Sequence, residues 1–206
     1  MIRTETEGPV WTVTIDRPGK ANSLTTEMLV ALRDLARRAA EGPRAVILTG
    51  AGRVFSAGAD LDEARAGLAT DPVWEELSGA VAALPCLTIA ALNGTLAGGA
   101  FGMALACDLR IAVPEATFFY PVMKLGFLPQ PSDPARLAAL VGPARAKLIL
   151  MAGARIGAAE ALAVGLIDAV VPGDELLPRA RGLAEAAAGA TAAHVAGIKR
   201  MVPGPV

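Results

Sequence analysis

Asn93-Gly94-Thr95-Leu96-Ala97-Gly98-Gly99-Ala100-Phe101-Gly102-Met103-Ala104-Leu105-Ala106-Cys107-Asp108 reads as a glycine-rich turn running into a short apolar helix that carries no acid. It follows Leu87 to Leu92, an apolar run of strand length, so the order is strand, tight turn, helix start. A second loop of this kind, Phe55-Ser56-Ala57-Gly58-Ala59-Asp60, comes shortly after another such run, Ala45 to Leu48. The first N–H groups of a helix have no acceptor within it and sit at the positive end of its dipole. Two such loops can therefore aim backbone donors at one carbonyl oxygen. Ala57, Gly58, Gly98 and Gly99 are small enough for a carbonyl to approach the main chain closely. A pair of donors so placed is an oxyanion hole, where one donor is worth about 3 kcal/mol in a transition state. The alternative is that both clusters are packing turns only. No Lys-Ser or Lys-Thr follows the glycines, and their spacing is not that of a dinucleotide fingerprint, so ATP and NAD are not expected.

Outward from these loops the chain alternates strands and helices. Ile2 to Thr6 and Val10 to Ile15 flank Gly8-Pro9 as a hairpin. From Thr25 or Thr26 as cap, Met28, Leu32, Leu35, Ala36 and Ala39 repeat at helical spacing up to Gly42-Pro43. A helix around Pro72 to Leu84 precedes strand Leu87 to Leu92, and a helix over Gly99 to Ala106 precedes strand Leu109 to Val113. Ser132-Asp133-Pro134 reads as a capped helix start, continued by Arg136 to Val141 and then by helices Ala144 to Met151 and Gly157 to Val164. Leu166 to Val171 reads as a strand, and Glu175 to Met201 as two alanine-rich helices. This succession belongs to an α/β fold.

The 206 residues fit one domain, and a net charge of −1 with no basic stripe argues against nucleic acid. Leu77 to Cys107 holds no charged side chain, yet Pro85, Asn93-Gly94 and Gly98-Gly99 divide it into pieces too short for a membrane span. Met1 to Thr6 has neither the basic nor the apolar region of a signal peptide, so a cytoplasmic protein is expected. Cys86 and Cys107 lack neighbours at metal spacing and read as buried thiols.

Three ordered stretches, Arg17-Pro18-Gly19-Lys20-Ala21-Asn22-Ser23-Leu24, Phe55 to Leu61 and Ile89 to Gly99, resemble in order and spacing the enoyl-CoA hydratase/isomerase (crotonase) superfamily. The resemblance continues through Cys107 to Ala112, Leu125 to Pro129 and Ala158 to Asp168, and so covers nearly the whole chain. It implies a spiral of strand-strand-helix units over residues 1–172, closed within the same domain by a short C-terminal helical segment, 173–206. It implies an acyl-CoA thioester as ligand, coenzyme A as part of the substrate with no further cofactor and no metal, a place in fatty acid metabolism, and assembly as a homotrimer or hexamer. Ala57 and Gly99 match the family's oxyanion-hole positions. Lys20, Ala21 and Leu24 would lie along the coenzyme A moiety, with Ala59, Asp60 and Leu61 lining the thioester and adenine region.

Hydratases of this family position and activate water with two glutamates, and the matching positions here are Gly102 and Val122, which line the acyl pocket but cannot move a proton. Ordinary hydratase activity is therefore not expected. Tyr120, the sole tyrosine, could donate a hydrogen bond or proton, although a packed aromatic is its commoner role. Asp133 could face the pocket, although a cap beside Pro134 is more usual. Asp62 and Glu63 suit the start of a helix, His194 reads as a surface residue, and Asp108 as a ligand of backbone. No pair of these forms a convincing acid/base dyad. The resemblance also implies a shortened member, since relatives continue past Met201 by further helices, leaving a pocket more open or covered by a neighbouring chain. Two readings stand: an enzyme, lyase or isomerase in type, that stabilises a thioester oxyanion, or a non-catalytic acyl-CoA binding or scaffold protein.

Overall fold

Six strands form the main sheet, in the order β1 (Ile2–Glu5), β2 (Val10–Ile15), β3 (Ala45–Gly50), β5 (Leu87–Leu92), β7 (Leu109–Ala112) and β10 (Ala169–Val170). The computed structural model describes residues 1–6 and 8–202. In this main sheet only β1 runs antiparallel to its neighbour, and β2, β3, β5, β7 and β10 are parallel. A second sheet of four short strands orders β4 (Val54–Ser56), β6 (Thr95–Ala97), β8 (Thr117–Phe119) and β9 (Ile156–Gly157). The chain alternates between the sheets: β3 then β4, β5 then β6, β7 then β8, with helical segments leading back each time. That is the expected spiral of strand-strand-helix units.

Burial explains the placing of the helices. β3 and β5 are buried on both faces, as parallel strands must be when helices cover each side. Helix α1 (Thr26–Ala39) presents Met28, Leu29, Leu32, Leu35, Ala36 and Ala39 to one face, and the Thr25 hydroxyl caps it by accepting from the Met28 N–H at 3.2 Å. Helix α3 (Val73–Ala82) packs beside α1, so Leu32, Leu35, Leu77 and Val81 meet Val13, Val46 and Leu48 of the sheet. Helix α8 (Leu176–Gly189) lies on the other face, with Leu176, Ala180 and Ala184 buried. Helix α9 (Ala192–Met201) is tied down by Lys199, whose Nζ donates to the Cys86 carbonyl at 2.9 Å and the Asp108 carboxylate at 2.8 Å. The last residues of the expected C-terminal segment, 203–206, lie outside the described residues.

Three expectations need correction. Ser132 precedes helix α6 (Asp133–Leu150) but does not cap it with its side chain; its hydroxyl bonds Glu75 instead. Asp133 stands inside the first turn, its carboxylate directed away from the backbone toward Tyr120. Leu166 to Val171 pairs over Ala169–Val170 only. The break expected between the helix ending at Val141 and the one starting at Ala144 falls at Gly142, with φ +76 and ψ 160 inside α6. Both cysteines are free and buried, and burial pushes their thiols up to about 11 for Cys86 and about 12 for Cys107.

Candidate active site

Asn22 shapes the first loop. Ala21 and Asn22 both adopt the left-handed conformation, φ +51 and +53, which turns the chain sharply back on itself. The Asn22 side chain is fully buried and stabilises that turn: Oδ1 accepts from the Arg17 N–H at 2.8 Å, and Nδ2 donates to the carbonyls of Ala51 at 2.9 Å and Val54 at 2.6 Å. The turn lays residues 21–24 alongside 57–60. The Ala57 N–H donates to the Ala21 carbonyl at 3.0 Å, Leu24 N–H to Gly58 at 2.8 Å, and Asp60 N–H to Leu24 at 2.8 Å. Gly58 N–H is taken by the Ser56 hydroxyl at 3.2 Å, itself donating to Asn22 O at 2.8 Å.

These bonds correct the expected donor. The Ala57 N–H is committed to Ala21, so it cannot hold a substrate oxygen. Among the described residues, the Ala59 N–H is the one between Ala57 and Asp60 that has no acceptor. The parallel bridge between Leu24 and Ala59 explains why, since the groups of Gly58 and Asp60 make its bonds and leave Ala59 facing away.

The second loop meets the first backbone to backbone. Gly58 has φ +90, and a Cβ there would lie 2.9 Å from the Ala97 carbonyl and 3.5 Å from Gly98 Cα, so no side chain fits. Gly98, at φ +57, and Gly99 open a 3-10 turn, Gly98–Ala100, that leads into helix α4 (Phe101–Leu105). As the second residue of that turn Gly99 has no acceptor within it. Ala59 and Gly99 thus stand one residue past the Gly58/Gly98 contact, each offering an N–H. The indole of Trp74 walls this place: a Cβ on Gly99 would be 3.1 Å from two of its ring carbons, and its N–H is held by Leu68 O at 2.8 Å.

Asp60 anchors the loop. It accepts from Arg17 at 2.7 Å and from the Asp62 N–H at 3.1 Å, capping helix α2 (Leu61–Arg65). The hydrogen bond from Arg17, against the cost of burial, holds its carboxyl below the usual range. A depressed folded value contributes stability that is present above the unfolded aspartate value, about 3.9, and is lost as pH falls through the folded one. Asp60→Asn is therefore expected to unfold with a shallower loss of stability below about pH 4, as measured by urea midpoints across pH.

Beyond Gly99, the Tyr120 hydroxyl donates to Asp133 Oδ2 at 2.8 Å, and both side chains are buried. The phenol ring stacks on Phe101 of α4 with centroids 5.4 Å apart. Asp133 Oδ1 is buried with no partner among the described residues, as is Arg136 Nη1. Burial pushes the Asp133 carboxyl up to about 7, helped by Glu75 and opposed by the Tyr120 hydroxyl and Arg136. Burial first, and then the Asp133 charge, raises the Tyr120 phenol and keeps it protonated.

Comparison with known proteins gives the family and supports the fold. The family described as Enoyl-CoA hydratase/isomerase matches residues 5–205. The chain belongs to the enoyl-CoA hydratase/isomerase family. Among its relatives, YngF of Bacillus subtilis (strain 168), whose name assigns it to the enoyl-CoA hydratases/isomerases, is 40% identical over 183 residues, covering 84% of this chain and 70% of YngF. Carnitinyl-CoA dehydratase of Salmonella enteritidis is 36% identical over 203 residues, 94% of this chain and 77% of that protein. The crystal structure of enoyl-CoA hydratase from Bacillus anthracis superposes with a TM-score of 0.90 at 35% identity, covering 97% of this chain and 81% of that one.

In this enoyl-CoA hydratase/isomerase chain, the expected site residues gather at one end of the spiral. Ala21 and Leu24 bond to the loop that holds Ala59 and Asp60, Lys20 is exposed at the rim, and Leu61 is 73% exposed. Gly102 is buried beside Asp133, and Val122 is buried two residues after Tyr120. Their spacing in the sequence does not connect Tyr120 with Asp133, and the fold joins them by a hydrogen bond. Ser56, Trp74 and Glu75 were also missed, although Ser56 stands within the quoted loop. Glu63 bonds the Thr26 N–H and hydroxyl at 2.7 Å, Asp108 binds the Thr88 N–H as well as Lys199, and His194 is exposed.

Among the described residues no helix is long and apolar enough to cross a membrane.

Proposed function

We propose that this family member binds an acyl-CoA thioester and stabilises the enolate formed next to its carbonyl. The observation that carries this reading is the pair of uncommitted N–H groups, Ala59 and Gly99, in two loops that touch at Gly58 and Gly98. Two neutral donors meeting one thioester oxygen bind it modestly in the ground state and more strongly as it gains charge. Coenzyme A lies along Lys20, Ala21 and Leu24, and nothing beyond that carrier is required as cofactor. A role in fatty acid metabolism, a cytoplasmic location and assembly as a homotrimer or hexamer belong to the same proposal.

Isomerisation or another enolate chemistry is favoured over hydration, because Gly102 and Val122 offer nothing to orient water. Those two residues favour the second reading, a silent acyl-CoA binder; the buried carboxylate beside Gly102 favours turnover. Titration with a short acyl-CoA and with the matching alkyl-CoA thioether, which lacks the carbonyl, tests the cradle. The thioester is expected to bind about tenfold more tightly, as two hydrogen bonds imply. Equal affinities for the two would remove the oxyanion hole from the site.

A further inference from the structure

We propose that Asp133 is the base of this site, positioned by Tyr120, and that it works from α6 in the space a side chain at position 102 would otherwise occupy. This rests on the thioester-binding reading above. Gly102 follows Gly99 by three residues and so lies about one turn, roughly 5 Å, further along the same helical face. A Cβ at Gly102 would sit 3.0 Å from Asp133 Oδ1 and 3.5 Å from Oδ2. The carboxylate therefore enters from a different element the volume that a longer side chain on α4 would fill. A glutamate at 102 and Asp133 would compete for that volume, so the glycine and the aspartate are one arrangement.

The two carboxylate oxygens differ in a way that a purely structural aspartate does not need. Oδ2 is fixed by the Tyr120 hydroxyl at 2.8 Å, and that hydroxyl also accepts from the Gln130 N–H at 3.4 Å. Stacking on Phe101 fixes the tyrosine ring in turn. Oδ1 is fully enclosed, aimed at Gly102, and unpaired among the described residues. Leaving a buried acceptor without a partner costs about 1–3 kcal/mol, a cost that an ordered water or a bound molecule hydrogen-bonded to Oδ1 would remove. The charged and titratable groups around Asp133 are Tyr120, Arg136 and Glu75; with burial they bring the carboxyl to about 7, where it is half ionised at neutral pH and can both take and return a proton.

The step balances without another reagent. Asp133 Oδ1 takes a proton from the carbon next to the thioester carbonyl, and the C–H electron pair becomes an enolate whose oxygen meets the Ala59 and Gly99 N–H groups. The same oxygen returns the proton either to that carbon or, in a β,γ-unsaturated chain, to the carbon two further along, which yields the α,β-unsaturated isomer. Neither water nor an oxidant is consumed.

The test is exchange of the α-protons of a saturated acyl-CoA in deuterated buffer, followed by NMR, beside an affinity titration for each protein. Wild type is expected to exchange, its rate rising with pH through about 7 to a plateau. Asp133→Asn is expected to lose about 10² to 10⁴ in exchange rate while keeping acyl-CoA affinity within about threefold. Tyr120→Phe removes a donor that favours the ionised carboxylate, so its midpoint is expected to move to higher pH with exchange retained. Wild-type binding without exchange overturns the proposal and leaves the thioester cradle standing, and so does Asp133→Asn exchanging at the wild-type rate. An unmoved midpoint in Tyr120→Phe, which is decisive even if Asp133→Asn fails to fold, also overturns it. Failure of wild type to bind any acyl-CoA overturns the cradle itself.

Discussion

Gly99→Ala will bind acyl-CoA several-fold more weakly and lose about tenfold in turnover, while melting close to wild type. The backbone of Gly99 is not in the left-handed region, so alanine fits its conformation. What the added methyl meets is the Trp74 ring, with three carbons at 3.1 to 3.2 Å. The ring must move away by a few tenths of an ångström, which reshapes the wall beside the Gly99 N–H where the thioester oxygen has to sit. A displacement at a positioning wall costs function far more than stability: about 1 Å of misplacement can cost 10²-fold, so a few tenths of an ångström is expected to cost about tenfold. Trp74→Phe is smaller and gives up the indole bond to Leu68, so alone it weakens the wall slightly. Combined with Gly99→Ala it is expected to recover part of the loss. Titration and turnover across the four proteins give the coupling directly.

Gly94→Ala is the stability counterpart. A Cβ there would lie 1.9 Å from the Arg53 carbonyl oxygen and 2.7 Å from its carbon, both main chain. No rotamer change relieves a clash with backbone. The neighbouring Asn93 side chain explains why the segments are so close: Oδ1 accepts from Gly50 N–H at 2.9 Å, and Nδ2 donates to Gly52 O at 2.9 Å and Val54 O at 3.2 Å. The substitution must push β6 from β4 or break this clamp, at about 3 kcal/mol or more. For a chain of this size that is a fall in melting temperature of about 6–12 °C. Gly182→Ala on α8, where a Cβ meets nothing within 4 Å, serves as control and is expected to be neutral or slightly stabilising.

The long elements were legible in the sequence because their periodicity spans several turns or residues. Thr25 as cap, Met28 to Ala39 as buried stripe, Leu87 to Leu92 as strand and Gly142 as break are all where the pattern puts them. The second sheet was not legible in the residues themselves: Val54–Ser56, Thr95–Ala97 and Thr117–Phe119 are three residues each, too short to alternate. Part of what reads as a glycine turn after Asn93 is therefore a strand. The loop of the proposed first oxyanion donor was visible, but the N–H left uncommitted in it lies two residues beyond Ala57. That choice depends on the left-handed turn at Ala21 and Asn22, which sends the Ala21 carbonyl to Ala57 and leaves Ala59 free. Tyr120 and Asp133 are thirteen apart on different elements, a pairing that only the tertiary fold creates.

The polarisation of the bound thioester tests the central claim most directly. Infrared difference spectra of an acyl-CoA labelled with carbon-13 at the carbonyl would be recorded free and bound to wild type and to Gly99→Ala. If the Ala59 and Gly99 N–H groups hold that oxygen, the carbonyl stretch of the bound ligand moves to lower frequency in wild type and moves less in Gly99→Ala. A carbonyl band at the same frequency free and bound would contradict the claim that these two loops form an oxyanion hole.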